Sequence, residues 1–158
     1  FTGVYKLAAR HDKESDKMLP AMKFSDNPAK TTNPGIKNVY RLYDSNGMAL
    51  ADILALEGET IEAGKEYRFH HPMVDYRQFT CKAAKVEPLL KKRIEDGKRI
   101  TKRLPDNEQL KISRTTMQSQ LETFDESYKR ILNPHIYKVS LTEKLMELKK
   151  DFIEKNLK

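Results

Sequence analysis

Four histidines and one cysteine have the widest chemical repertoire of any side chains in this 158-residue sequence. His11, His70, His71 and His135 are of the type that ligates zinc or moves protons near neutral pH. No Cys or carboxylate accompanies them at a zinc-like spacing, and no His-Glu-x-x-His occurs. His70-His71, set before Pro72, would suit a metal or an acid/base pair; a strand end with one ring buried and one exposed is the favoured alternative. Cys81 lacks a histidine at any recognisable spacing and reads as a small core residue rather than a nucleophile. The acidic pair Asp125-Glu126 falls on a helical stretch, where solvation is its simplest role. Walker, dinucleotide and Gly-x-Ser-x-Gly patterns are all missing.

One charge cluster remains. Lys91, Lys92 and Arg93, with Lys98-Arg99 and Lys102-Arg103, lie on an expected hairpin where they could meet phosphates. No aromatic residue is interleaved to stack bases, so an exposed hairpin that guards a sheet edge from aggregation is the preferred reading.

The elements that must position these residues follow from spacing. Val4 to Arg10 reads as a strand, His11 to Lys17 as a charged loop and Ala21 to Phe24 as a second strand. Lys37 to Tyr43 alternates, Asp44-Ser45-Asn46-Gly47 suits a tight turn, and Met48 to Leu56 returns as its partner. Glu57 to Lys65 reads as a loop, Tyr67 to Phe69 as a strand stopped near His71-Pro72, and Thr80 to Lys85 as one strand leading into Val86. A second hairpin is expected over Leu89 to Arg103. Placing Ile94 and Ile100 on one buried face requires a three-residue loop, Glu95 to Gly97, with Gly97 left-handed and a bulge.

Beyond Leu104-Pro105 the period changes. Leu110, Met117, Leu121, Phe124, Tyr128 and Ile131 predict a helix capped by Asp106 or Asn107 and stopped at Asn133-Pro134. Ser140-Leu141-Thr142-Glu143 has the form of a capping box before a last helix, with Leu141, Leu145, Leu148 and Phe152 on one stripe. The expected fold is α+β: antiparallel strands and hairpins, then two amphipathic C-terminal helices. The division is a β-rich part over 1–104 and a helical part over 105–158.

Bulk properties set the outer bounds. Hydrophobic residues make up 38% and charged residues 34%, which suits a folded piece with a large wet surface. The net charge of +7 is compatible with an anionic partner, although lysines scattered along the chain favour plain solubility. A single cysteine excludes an internal disulfide framework. No membrane-spanning run or signal pattern appears, which points to the cytoplasm. The chain starts at Phe1 and runs straight into apolar residues, as a cut from a longer protein would.

In order and spacing the sequence resembles the C-terminal region of nicotinate phosphoribosyltransferases. The resemblance rests on Gly3-Val4-Tyr5-Lys6-Leu7, on Lys23 to Gly35 (similar to K-x-S-E-x-P-x-K-x-T-x-P-G), on Val39 to Tyr43, on His71-Pro72, on Val86 to Leu90 and on Leu132 to Leu141. Each marker is weak alone; their order is specific. The resemblance implies a parent enzyme that joins nicotinate to phosphoribosyl pyrophosphate, with Mg2+ and coupled ATP hydrolysis, and feeds NAD synthesis. It implies a homodimer and the remainder of the enzyme chain as partners, with no membrane and nucleic acid disfavoured. The family's catalytic histidine, nicotinate-binding arginine and Gly-Thr phosphate loop have no counterpart here. No catalytic or metal-binding residue is therefore expected in this stretch, which would be inactive and structural alone. Thr2, Gly3 and Lys6 are the nearest candidates for a peripheral phosphate contact, and Thr2 stands where many members have glycine. The first strand would finish or flank the enzyme's barrel. Two rivals stand beside this reading: a free-standing basic RNA-binding module, and an appendage that mediates oligomerisation.

Overall fold

A computed structural model describes residues 6–27 and 30–156. The alternation at 37–43 and the turn that follows build the first half of its main sheet. β3 (Lys37–Tyr43) and β4 (Ala49–Leu56) form an antiparallel hairpin. Its turn is closed by the Asp44 carboxylate, which accepts from the backbone of Asn46 and Met48 at 2.8 Å each, with Gly47 at φ +79°. Every second residue of β4 from Ala49 to Ala55 is buried, so this strand has one wholly enclosed face.

Ahead of it, β1 (Ala9–Asp12) and β2 (Lys17–Pro20) make a separate two-stranded sheet. The expected strand at Val4 to Arg10 thus begins later, at Ala9, and its first two residues lie outside the described residues. His11 and Lys17 are strand residues, not loop, and the partner strand lies before Ala21 rather than after it. The local cause is the sharp turn at 13–16, where Asp16 takes a positive φ of 52° and hydrogen-bonds His11.

β5 (Glu66–His70) and β6 (Gln78–Lys82) form the next hairpin, and β7 (Lys85–Pro88) crosses back to pair with β3. The single strand expected over Thr80 to Lys85 is therefore two, divided at the buried Ala83. β10 (Val139–Thr142) completes the sheet from far along the chain. It lies parallel to β4 and antiparallel to β5, giving the order β6-β5-β10-β4-β3-β7.

The sheet has two differently covered faces. On one, Leu42, Ala51, Ile53, Phe69 and Ala83 meet Ile61 from the 57–65 loop. On the other, α3 (Glu143–Asn156) lays Leu145 and Met146 over Leu141, Leu54 and Leu56. The capping pattern works two residues later than expected: Ser140 is a buried strand residue, and Thr142 is the cap. Its hydroxyl accepts from the backbone of Leu145 at 3.4 Å and donates to Glu59 at 2.8 Å. A strand demanded by long-range pairing has displaced the local preference.

The remaining elements stand apart. β8 (Ile94–Glu95) and β9 (Lys98–Arg99) form an isolated hairpin. Ile94 faces Arg99 and Glu95 faces Lys98, so the loop has two residues, Asp96-Gly97, both at positive φ, as in a type I′ turn. The expected three-residue loop is overturned because Ile94 and Ile100 are both exposed; with no buried face, turn chemistry alone sets the register. Nor does the hairpin guard a sheet edge: the main sheet's edges are β6 and β7.

α1 (Asp106–Glu122) buries none of its residues, so its apolar stripe has no partner among the described residues. Pro105 occupies its N-cap with no side-chain bond, so the cap position is not at Asp106 or Asn107, although Asn107 Oδ1 accepts from the backbone of Glu108 in the first turn at 2.9 Å. The long helix expected to run to Asn133 breaks at Thr123, whose carbonyl accepts from Ala49 in the sheet at 2.7 Å. Asp125, exposed as expected of a solvated acid, also caps a short α2 (Glu126–Lys129) through Ser127.

Candidate functional site

The register of β3 and β4 puts Arg41 directly opposite Asp52. Arg41 Nε and Nη2 donate to the two carboxylate oxygens at 2.7 and 2.8 Å, a bidentate pair. Tyr137 OH donates to Asp52 Oδ1 at 3.0 Å. The helix break at Thr123 brings Phe124 over the guanidinium, with Cζ 4.8 Å from the ring centroid. Tyr137 packs edge-on to Phe124 and Tyr128, and His135 lies beyond Tyr128. None of Arg41, Asp52 and Tyr137 is among the residues singled out from sequence; opposite charges across the expected hairpin would have signalled the first two, and nothing local points to Tyr137.

This cluster is built to hold, not to react. Asp52 accepts three hydrogen bonds, and those it takes from Arg41 hold that guanidinium more firmly cationic than usual. Burial, with the Asp52 charge added, pushes the Tyr137 hydroxyl far above the ordinary phenol value. A hydroxyl kept neutral in the fold but free to ionise when unfolded stabilises fully below about pH 10. Above that pH the unfolded chain loses the proton and the folded chain keeps it, so stability falls as pH rises. In urea titrations from pH 9 to about 11, the unfolding midpoint should fall in the native chain and fall less in Tyr137→Phe. Parallel declines would remove Tyr137 from the account.

A second polar contact joins elements far apart in sequence. His70, buried at the end of β5, places Nε2 2.8 Å from Glu143 Oε2 at the start of α3. That hydrogen bond holds the Glu143 carboxyl below its usual range. His70 Nδ1 is buried without a partner. Glu143 remains half exposed, so the pair is open on one side rather than sealed in a pocket. His71 is half-buried, and its Nδ1 accepts from the backbone of Met73 at 3.2 Å. Burial pushes the Cys81 thiol up, against a smaller opposing effect of Lys138, which makes it a poorer nucleophile. The structure brings neither the two histidines nor the cysteine together into one reactive constellation. Among the described residues no group of three His, Cys, Asp or Glu could hold a metal ion. Lys6 is exposed and precedes β1 rather than lying on a strand; Thr2 and Gly3 lie outside the described residues.

Beside the aromatic cluster runs a cleft of about 480 Å³, lined by His71, Arg77, Phe79, Tyr137, Lys138 and Ser140 among others, with no carboxylate in its wall. Lys138 Nζ sits 5.0 Å from the Phe79 ring centroid. The loops around the cleft carry Tyr76, Ile131 and Ile136 at 89%, 97% and 93% exposure. Large apolar side chains this bare, rimmed by cations, suit contact with another protein surface better than turnover of a small molecule.

The family model for the nicotinate phosphoribosyltransferase C-terminal domain matches residues 36–149. Nicotinate phosphoribosyltransferase of Homo sapiens is 35% identical over 147 residues, covering 92% of this chain and 25% of that protein. The Bacillus subtilis protein of the same name is 33% identical over 141 residues, covering 89% of this chain and 28% of its own length. The crystal structure of human nicotinic acid phosphoribosyltransferase superposes with a TM-score of 0.67 at 30% identity, over 77% of this chain and 24% of that one. The chain thus spans about a quarter of the length of the curated relatives it matches.

Proposed function

The chain belongs to the nicotinate phosphoribosyltransferase family, and from its place there we propose that it is the structural C-terminal quarter of such an enzyme. The parent reaction on this reading joins nicotinate to the phosphoribosyl group of phosphoribosyl pyrophosphate, with Mg2+ and coupled ATP hydrolysis, and yields nicotinate mononucleotide for NAD synthesis. The rest of the enzyme holds the reacting groups, and its active form is a homodimer in the cytoplasm. No helix among the described residues is long and apolar enough to cross a membrane.

One contrast carries this reading. The conspicuous polar groups engage each other, as Arg41, Asp52 and Tyr137 do, while large apolar groups stand uncovered on the 71–77 and 130–138 loops and along α1. A domain that docks on more protein needs such faces; a self-contained catalyst needs the reverse arrangement. The test is an assay of residues 1–158 with nicotinate, phosphoribosyl pyrophosphate, ATP and Mg2+. No pyrophosphate should be released. Nicotinate-dependent consumption of phosphoribosyl pyrophosphate by this chain alone would overturn the reading.

A further inference from the structure

The proposed role leaves the basic hairpin without a purpose. Residues 91–103 hold seven cationic side chains and two carboxylates, so five of the chain's seven net positive charges fall in this short stretch. One carboxylate, Glu95, is already paired with Lys92. Among the described residues Arg93, Arg99 and Arg103 form no ion pair. Such a concentration of charge is self-repelling, and each unneutralised guanidinium adds to the cost of keeping the hairpin closed.

The hairpin and the start of α1 enclose an open cleft of about 590 Å³. Arg93, Arg99 and Arg103 line it, with Ile94 and Leu104 as apolar wall and Asp106 as its one carboxylate. Arg99 Nε donates to Thr101 Oγ1 at 3.2 Å, which steadies that guanidinium, while among the described residues its terminal nitrogens have no hydrogen-bond partner. From this geometry we infer an oligophosphate-binding site: an anion with two or three linked phosphoryl groups bridges the arginines.

Several features select that ligand class. Planar guanidinium forks match phosphoryl oxygens in bidentate pairs. A lone carboxylate or single phosphate carries too little charge to engage three arginines in a cleft of this volume, and the three arginines outnumber Asp106, so the wall keeps a net positive charge. No aromatic side chain lines the cleft, so no ring is placed to stack a base, and the arginines are committed to the phosphates. Recognition therefore reads the phosphate chain, whether inorganic or the tail of a nucleotide. The inference concerns the chain's own side chains and stands apart from the proposed enzyme role.

Calorimetric titration of the 158-residue chain with inorganic triphosphate, with ATP and with a single-stranded RNA oligomer tests it. Triphosphate should bind saturably at one site, and more weakly as salt rises from about 50 to about 200 mM. The triple variant Arg93→Gln, Arg99→Gln, Arg103→Gln should weaken it at least about tenfold. A control with the same charge change elsewhere, Lys13→Gln, Lys17→Gln, Lys82→Gln, should stay within about twofold of the native chain. ATP should bind no tighter than triphosphate. Absence of saturable binding at low salt, an equal loss in the control, or a preference for ATP or RNA over triphosphate would each overturn the assignment, the last because it would require base contacts that the cleft does not offer.

Discussion

Asp52→Ala should destabilise the chain by about 3 kcal/mol, one of the two largest effects of any single side chain described above. The loss comes less from the missing attraction than from what remains. Arg41 has a side chain only 11% exposed, roofed by the Phe124 ring, and without Asp52 its charge is left unpaired there. Tyr137 loses its acceptor in the same step. Urea denaturation followed by circular dichroism measures the change. The double variant Arg41→Met, Asp52→Leu should be more stable than Asp52→Ala alone, because no orphaned charge is left. A cost below about 1 kcal/mol for Asp52→Ala would mean that water reaches the guanidinium and the aromatic roof is not a seal.

Phe69→Ala should cost about 3–5 kcal/mol. Phe69 is 1% exposed and stands where the hairpin β5–β6 meets the inserted strand, opposite Phe79 on one side and Thr142 on the other. Its ring contacts those of Tyr67 and Phe79 at centroid distances of 6.1 and 5.4 Å. Removing it opens a cavity between strands whose backbone pairing prevents collapse. Phe69→Leu should recover most of the loss. If both variants unfold at the native midpoint, the cluster around Ile53 and Leu42 is stable without this ring.

Local sequence carried the β3–β4 hairpin because two independent signals agreed: alternation along Lys37 to Tyr43 and an Asn-Gly turn. It also located β5, whose end at His71-Pro72 is marked by proline. It failed where only one signal was present. Ile94 and Ile100 suggested a buried face that the structure does not supply, so the turn residues prevailed. The helical period from Leu110 to Ile131 is real, yet its two halves serve different ends: Leu110, Met117 and Leu121 face outward, while Phe124 and Tyr128 turn back onto Arg41 and Tyr137. Residues 139–142 looked like the prelude to a helix, and only their pairing with β4 and β5 makes them a strand.

The polar contacts divide in the same way. Arg41–Asp52 is legible once a hairpin register is assumed. His70–Glu143 is not, because its members are 73 residues apart and meet only when β10 enters the sheet. Family likeness read from ordered markers reached further than chemistry read from single residues. The markers record the whole domain, whereas the histidines and the cysteine are dispersed through it and meet in no common site among the described residues.

The placement of β10 has a consequence for how the polypeptide is made. A ribosome releases β4 and β5 well before Val139, so the nascent chain carries two strand flanks with no neighbour to bond them. Each flank offers a row of free amides and carbonyls next to apolar residues such as Ile53 and Phe69, a surface that pairs readily with the same segment of an adjacent nascent molecule. Shielding of that gap until the late strand arrives, by a chaperone or by sections of polypeptide already folded, should raise the yield of the native domain.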